Sequence, residues 1–215
     1  MSIDPLSVLA IFAPLSLNIL GPISVPVEPL ASHTISLEQR YGNSFVNNVF
    51  KDNILLTLRY MEGSVKTGDK IAWDNIEWPL HYEFKLEPGD KFAFHDGILP
   101  DEADHVVKTT GAHFNYTDGF KSDGYLMGDG VCHLASLMYW VAKDAGLEAK
   151  APRNHDFAMI PQISKEYSVA IYYNPSNSYA SGFQNLYITN NKEKAVTFVF
   201  DYKDDNLTIS VWSKS

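Results

Sequence analysis

Apolar residues fall along this chain in short blocks whose spacing changes several times, and each change marks an element. The clearest block is Val131–Asp144: Leu134, Leu137, Met138, Val141 and, just beyond, Ala145 recur at steps of three and four, the period of an amphipathic helix. Gly146 supplies its stop. Towards the C-terminus the period shortens. Residues 168–173, 185–189, 195–202 and 207–212 are β-branched and aromatic runs separated by Asn, Pro, Gly and Asp turns, which predicts four strands and a terminal antiparallel sheet. Upstream, residues 71–73, 78–86 and 91–94 read as strands around turns at Thr67-Gly68 and Glu87-Pro88-Gly89-Asp90. Residues 46–50 open an element, and residues 53–60 fit a strand or a helix equally, because a short apolar run has no period to separate the two. Residues 97–130 form a long, polar, glycine-rich connection of the kind that is functional or irregular. The whole predicts an α+β fold.

The first part of the chain differs in kind. No charged residue occurs from Pro5 to Val27, and the apolar run 6–13 has the character of a signal-peptide core. Pro14, Pro22, Pro26 and Pro29 break any long helix there, and no Lys or Arg precedes the run. The expected organisation is an apolar leader over residues 1–31, with processing near residues 30–32 and a route to membrane association, then a single domain over 32–215. The alternative is an apolar arm that packs onto that domain. An exported protein of the cell envelope or the extracellular space is the localisation this predicts.

Charge narrows the partners. A net charge of −9, with basic residues scattered singly, excludes a nucleic-acid surface built on phosphate neutralisation. The single cysteine excludes an internal disulfide, and no Cys/His spacing matches a structural zinc site. His95, His105 and His113 share the long loop with Asp96, Asp101, Glu102 and Asp104, yet without the tight spacing of a metal site, so no metal and no cofactor is expected.

The single cysteine carries the candidate chemistry. Cys132 lies in Met127-Gly128-Asp129-Gly130-Val131-Cys132-His133, where a glycine turn gives way to the helix. A thiol there faces unpaired N–H groups and the positive end of the helix dipole, which predicts a pKa below the usual value of about 8.5. Twenty-three positions on, after the turn at Ala151-Pro152, comes His155. This order of glycine turn, cysteine and histidine is the layout of a thiol nucleophile with an imidazole base. The competing reading makes Cys132 a small core residue. His133 points about 100° away from Cys132 on the helix and is expected at the surface or behind the site, as a substrate contact rather than the base. Arg153 either pairs with a substrate carboxylate or caps the turn. Trp73, Trp78, Tyr82 and Phe84 are expected to pack one sheet face, with an aromatic lining for a glycan as the alternative.

Four blocks in a fixed order resemble the VanW family. Leu86-Glu87-Pro88-Gly89-Asp90-Lys91-Phe92-Ala93-Phe94 is similar to its LKPGExFSFN segment, and Gly128-Asp129-Gly130-Val131-Cys132-His133-Leu134-Ala135-Ser136-Leu137-Met138-Tyr139 to its GGGICQVSSTLYxA signature. Arg153-Asn154-His155 is similar to its arginine and histidine element, and residues 184–191 to its DLxFxN strand. The resemblance runs from about residue 53 to the C-terminus and implies an envelope-associated bacterial domain. A looser likeness to transglutaminase-like cysteine folds implies a Cys-bearing helix packed on a mainly antiparallel sheet, and acyl transfer on envelope peptides or peptidoglycan. The alternative is a non-catalytic binding or scaffold module. The family places Gln after the cysteine, where this chain has His133. It places an Asp about fourteen residues beyond the histidine, where this chain offers Glu166, so Glu166 or Asn185 is expected to orient His155. Asp156 would point away from it on a strand.

Overall fold

In the computed structural model, which describes residues 28–38, 40–124 and 128–213, the chain forms two four-stranded sheets and four helices around a continuous apolar core. The charge-free stretch 5–27 lies outside the described residues. In chain order the elements are β1 (Ala31–Ser36), α1 (Ser44–Glu62), α2 (Trp73–Ile76), β2 (Leu80–Leu86), β3 (Lys91–Ala93), β4 (Val106–Lys108), α3 (Val131–Asp144), β5 (Glu148–Lys150), α4 (Ser178–Phe183), β6 (Tyr187–Thr189), β7 (Val196–Lys203) and β8 (Asn206–Ser213). The architecture is α+β.

One sheet has the order β1-β8-β7-β2 and is antiparallel throughout; the other has the order β4-β3-β6-β5, with β3 and β4 its parallel pair. Alternation sets the inner face of the first. Val196, Phe198, Phe200 and Tyr202 on β7 and Leu207, Ile209 and Val211 on β8 are buried, and all the residues between them except Val199 are polar. Phe84 on β2 stacks on Phe198 at 5.1 Å and on Phe92 of the second sheet at 5.3 Å, so one aromatic column joins the two sheets.

Helix α3 packs against β1, β5 and β8 and against α1, and Leu134, Leu137, Met138 and Val141 are completely buried. Leu137→Ala is therefore expected to cost about 2–5 kcal/mol, the range for emptying a leucine site in a close-packed core. Cys132→Ser should cost much less, since it removes little volume; denaturant melts of both variants check the contrast.

One open alternative is resolved and several expectations change. Residues 53–60 belong to α1, which starts at Asn43, whose side chain accepts from the N–H groups of Phe45 and Val46, and ends at Gly63 with φ +88°. Residues 53–58 are all buried, so the helix has no polar face in that stretch and its period was hidden. Residues 71–73 are not a strand: Trp73 opens the single turn α2. Residues 168–173 are extended but join no ladder, because their N–H groups alternate between side chains of α3 and carbonyls of other loops, as described below. Of the four aromatic residues, Tyr82 and Phe84 pack the sheet, whereas Trp78 is 62% exposed and Trp73 stacks over the Lys121 ammonium at 3.7 Å. No helix among the described residues is long and apolar enough to cross a membrane.

Candidate functional site

The long connection is pinned to α1 by one residue. Asn53 is fully buried; its Nδ2 donates to the carbonyls of Lys121 (2.9 Å) and Asp129 (2.8 Å), and its Oδ1 accepts the Lys121 N–H (2.9 Å). An amide offers two donors and an acceptor, and here all three face used backbone groups. The Gly128-Asp129-Gly130 turn is thereby held against α1. Gly130 has φ +101°, and an ideal Cβ there would stand 2.5 Å from the Phe50 carbonyl oxygen, so only glycine fits. Asp129 accepts the Asp123 N–H, and burial pushes its carboxyl up to about 6.

Helix α3 starts immediately after this turn, which puts Cys132 in its first turn. The thiol donates to the Ile171 carbonyl (3.8 Å), and its sulfur accepts the Ile171 N–H (3.4 Å). One turn on, the Ser136 hydroxyl donates to the Cys132 carbonyl (2.7 Å) and accepts the Val169 N–H (2.9 Å). Between them, the N–H of Ala170 reaches the Arg153 carbonyl and that of Tyr172 the Gln184 carbonyl. These four bonds account for the extended run 168–173, and they give Cys132 a structural task.

Cys132, His155, His133 and His113 line one cleft of about 370 Å³, together with Tyr41, Phe50, Phe157, Tyr172 and Tyr173. A larger, more open hollow of about 630 Å³ over Trp73 and Tyr116 contains neither cysteine nor histidine. The cleft with the thiol is the better candidate because it alone of the two gathers groups that attack or move protons.

Within it the thiol is not poised as a thiolate. Cys132 keeps partial exposure, but protein packs densely around its sulfur, and burial pushes the thiol up to about 11, only partly offset by the Ile171 N–H. The expectation of a depressed pKa is corrected: desolvation outweighs the helix start. His155 is buried, and its ring packs on Phe157 with centroids 3.9 Å apart. Its Nδ1 lies 3.0 Å from the Ala158 carbonyl, an acceptor only, so Nδ1 carries the proton and Nε2 is left as an acceptor. Burial pushes this imidazole down, which favours the neutral ring. No hydrogen bond joins His155 to the Cys132 sulfur, which is engaged by Ile171.

The residues expected to orient His155 lie elsewhere. Glu166 accepts from the Ser164 hydroxyl at the surface. Asn185 is fully buried, with Nδ2 donating to the carbonyls of His95 and Gly97 and Oδ1 accepting the N–H of His95 and Leu186. The Ala158 carbonyl takes the orienting place, and a backbone acceptor three residues away has no signature in sequence. Of the two places expected for His133, the surface is corrected: it is only 1% exposed, between the rings of Tyr41, Phe50 and His155, with Nδ1 unpartnered among the described residues. Burial first, then the positive charge of Arg40 and electrostatic coupling to His155, push it well below the ordinary histidine range. Arg40 is itself buried and pushed down to about 10; one amino group donates to Gln162, while Nε and Nη1 have no partner among the described residues. Arg153 is exposed and does not line the cleft, and Asp156 pairs at the surface with Lys165 at 3.7 Å.

The loop carboxylates disperse. Glu102 pairs with Lys91 (2.7 Å) and Lys150 (2.6 Å), and no group of three metal-ligating side chains converges among the described residues. His95 is buried, its Nε2 3.0 Å from the Gln184 carbonyl, and burial pushes it down to about 4. Between pH 6.5 and about 4 the unfolded chain binds a proton that this folded ring refuses, so on acidification His95 lowers stability by on the order of 3 kcal/mol. Asp129, raised to about 6, acts in the opposite sense over nearly the same range. His95→Gln should therefore lose less stability than the parent between pH 7 and 4.5, which urea melts at the two pH values test.

The VanW like protein family model matches residues 82–212, a span from β2 to the end of β8 that contains the cleft's cysteine and histidines. The chain belongs to the VanW-like family. The matched span begins at Tyr82, so α1 and its Asn53 anchor lie outside it, and the four blocks quoted above lie inside it. No curated protein and no solved structure matches the chain.

Proposed function

We propose that this VanW-family chain is an exported domain that uses Cys132 for acyl transfer on a peptide of the cell envelope, with peptidoglycan stem peptides as the substrate class. The arrangement is transglutaminase-like: a cysteine in the first turn of a helix, a histidine in the same cleft, and an antiparallel sheet behind the helix. The observation that carries the reading is that Cys132 and His155 line one cleft while the Ala158 carbonyl fixes the tautomer, leaving the His155 Nε2 lone pair as the proton acceptor. Both groups are neutral at rest, so the thiol proton moves to His155 as the sulfur attacks the amide carbonyl. The Cys132 backbone N–H, at a helix start where donors lack intrahelical partners, stabilises the oxyanion.

A second reading has its own support. The two contacts of the sulfur with Ile171 and the raised thiol pKa suit a packing residue in a non-catalytic envelope-binding module. Incubating the full chain with peptidoglycan fragments and examining Cys132 by mass spectrometry separates the two. An acyl adduct on Cys132, absent from Cys132→Ser and strongly reduced in His155→Ala, supports acyl transfer; fragment binding that survives Cys132→Ser with no adduct supports the module.

A further inference from the structure

We infer that His113 is a second acid–base residue of the Cys132 cleft, the one that donates a proton to the group leaving the acyl carbon. The inference rests on the acyl-transfer reading above. His113 lines the same cleft as Cys132 and His155, and its side chain is 28% exposed, so it meets a ligand there without rearrangement. Two carboxylates bracket its ring. Asp118, buried on the 3-10 turn Tyr116–Asp118, accepts the His113 backbone N–H through Oδ2 at 2.8 Å, and the same oxygen stands 3.3 Å from the ring Nδ1. Its other oxygen, Oδ1, has no partner among the described residues, and Asn115 holds the turn by accepting the Asp118 N–H. On the far side, Asp96 Oδ2 lies 3.2 Å from Nε2 at the exposed rim.

An ionised carboxylate only accepts, so a ring that meets a carboxylate at each nitrogen is placed as a proton donor. His155 has the opposite proton inventory, with one nitrogen donating to a carbonyl and the other free to accept. Two rings in one cleft, one placed to donate and one placed to accept, divide the work of general acid and general base. In acylation the Cys132 sulfur forms the C–S bond and its proton passes to His155 Nε2. The C–N bond of the amide breaks as His113 Nε2–H protonates the departing amine. In deacylation water adds to the thioester, His113 takes the water proton, and His155 returns its proton to the departing sulfur. Both rings and the thiol are restored.

Two thiol reagents on the full chain isolate this proton. Iodoacetamide loses iodide, which needs no proton, whereas addition to acrylamide puts negative charge on the carbonyl side that a positioned acid relieves. The sulfur surrenders its proton in both. His113→Gln is expected to slow acrylamide addition at Cys132 by at least about tenfold, a fraction of the roughly hundredfold or more that a positioned acid contributes in full, while the iodoacetamide rate stays within about twofold. Asp96→Asn, at an exposed position, should act in the same direction with a smaller effect. Equal slowing of both reagents, or no slowing of either by His113→Gln, overturns the role of His113. Failure of acyl transfer itself shows separately, as no adduct on Cys132 from peptidoglycan fragments, a measurement that involves neither reagent.

Discussion

Replacing Gly130 with alanine is expected to destabilise the protein by about 3–5 kcal/mol, summing the cost of a non-glycine residue at a strained φ with that of overpacking. The backbone there sits at φ +101°, and the added carbon would stand 2.5 Å from the Phe50 carbonyl oxygen and 2.9 Å from its Cα. Neither atom can turn aside as a side chain can, since both belong to the middle of α1. Gly124 is the control: its φ is +111° but nothing lies within 4 Å of the added carbon, so Gly124→Ala should show the strain alone, about 1–3 kcal/mol. Denaturant midpoints of the two variants measure the difference, and equal losses would remove the steric part of the argument. Because Gly130 also starts α3, Gly130→Ala should shift Cys132 and lose any reaction at the thiol.

Near neutral pH, Cys132 is expected to react with iodoacetamide about a hundredfold more slowly than a free thiol. The factor follows from a thiol raised from 9.0 to about 11, which leaves about one hundredth of the ordinary thiolate fraction. The sign is fixed by burial: the fold favours the protonated sulfur, so the rate should climb with pH until about 11 instead of levelling near 9. If His155 is the base, His155→Ala slows the reaction further at neutral pH. If Cys132 only packs, that substitution leaves the rate unchanged. Labelling rates against pH for both proteins decide between them, and a fast, pH-independent reaction of the parent at neutral pH would refute the buried-thiol account.

Local pattern was enough for some of this molecule, and the reason is the same wherever it was. Helix α3 is legible because its large aliphatic residues recur at steps of three and four, with Lys143 and Asp144 reaching solvent in its last turn, so its sequence carries the helical period. Strands β7 and β8 are legible because each has one buried face, which writes a period of two into Val196, Phe198, Phe200 and Tyr202. The family was legible as well, since its blocks are turns and element starts whose residues are fixed by backbone geometry, Gly130 foremost. The centre of α1 was ambiguous for the converse reason: surrounded by core, it has no polar face to mark its period.

What only the tertiary structure decided is the state and company of the candidate groups. A helix start predicts a thiolate, but the pKa of Cys132 is governed by the packing of a distant run, 168–173, over its sulfur. The partner that fixes His155 is a backbone carbonyl, which every residue possesses and no sequence singles out. His113 and Asp118 read as members of a polar loop until the chain folds that loop against Asn53 and opens one of them to the cleft. Periodicity and turn chemistry are written in neighbouring residues and survive in the sequence; desolvation and hydrogen-bond partnership are sums over residues far apart in the chain, and they exist only once the fold has brought those residues together.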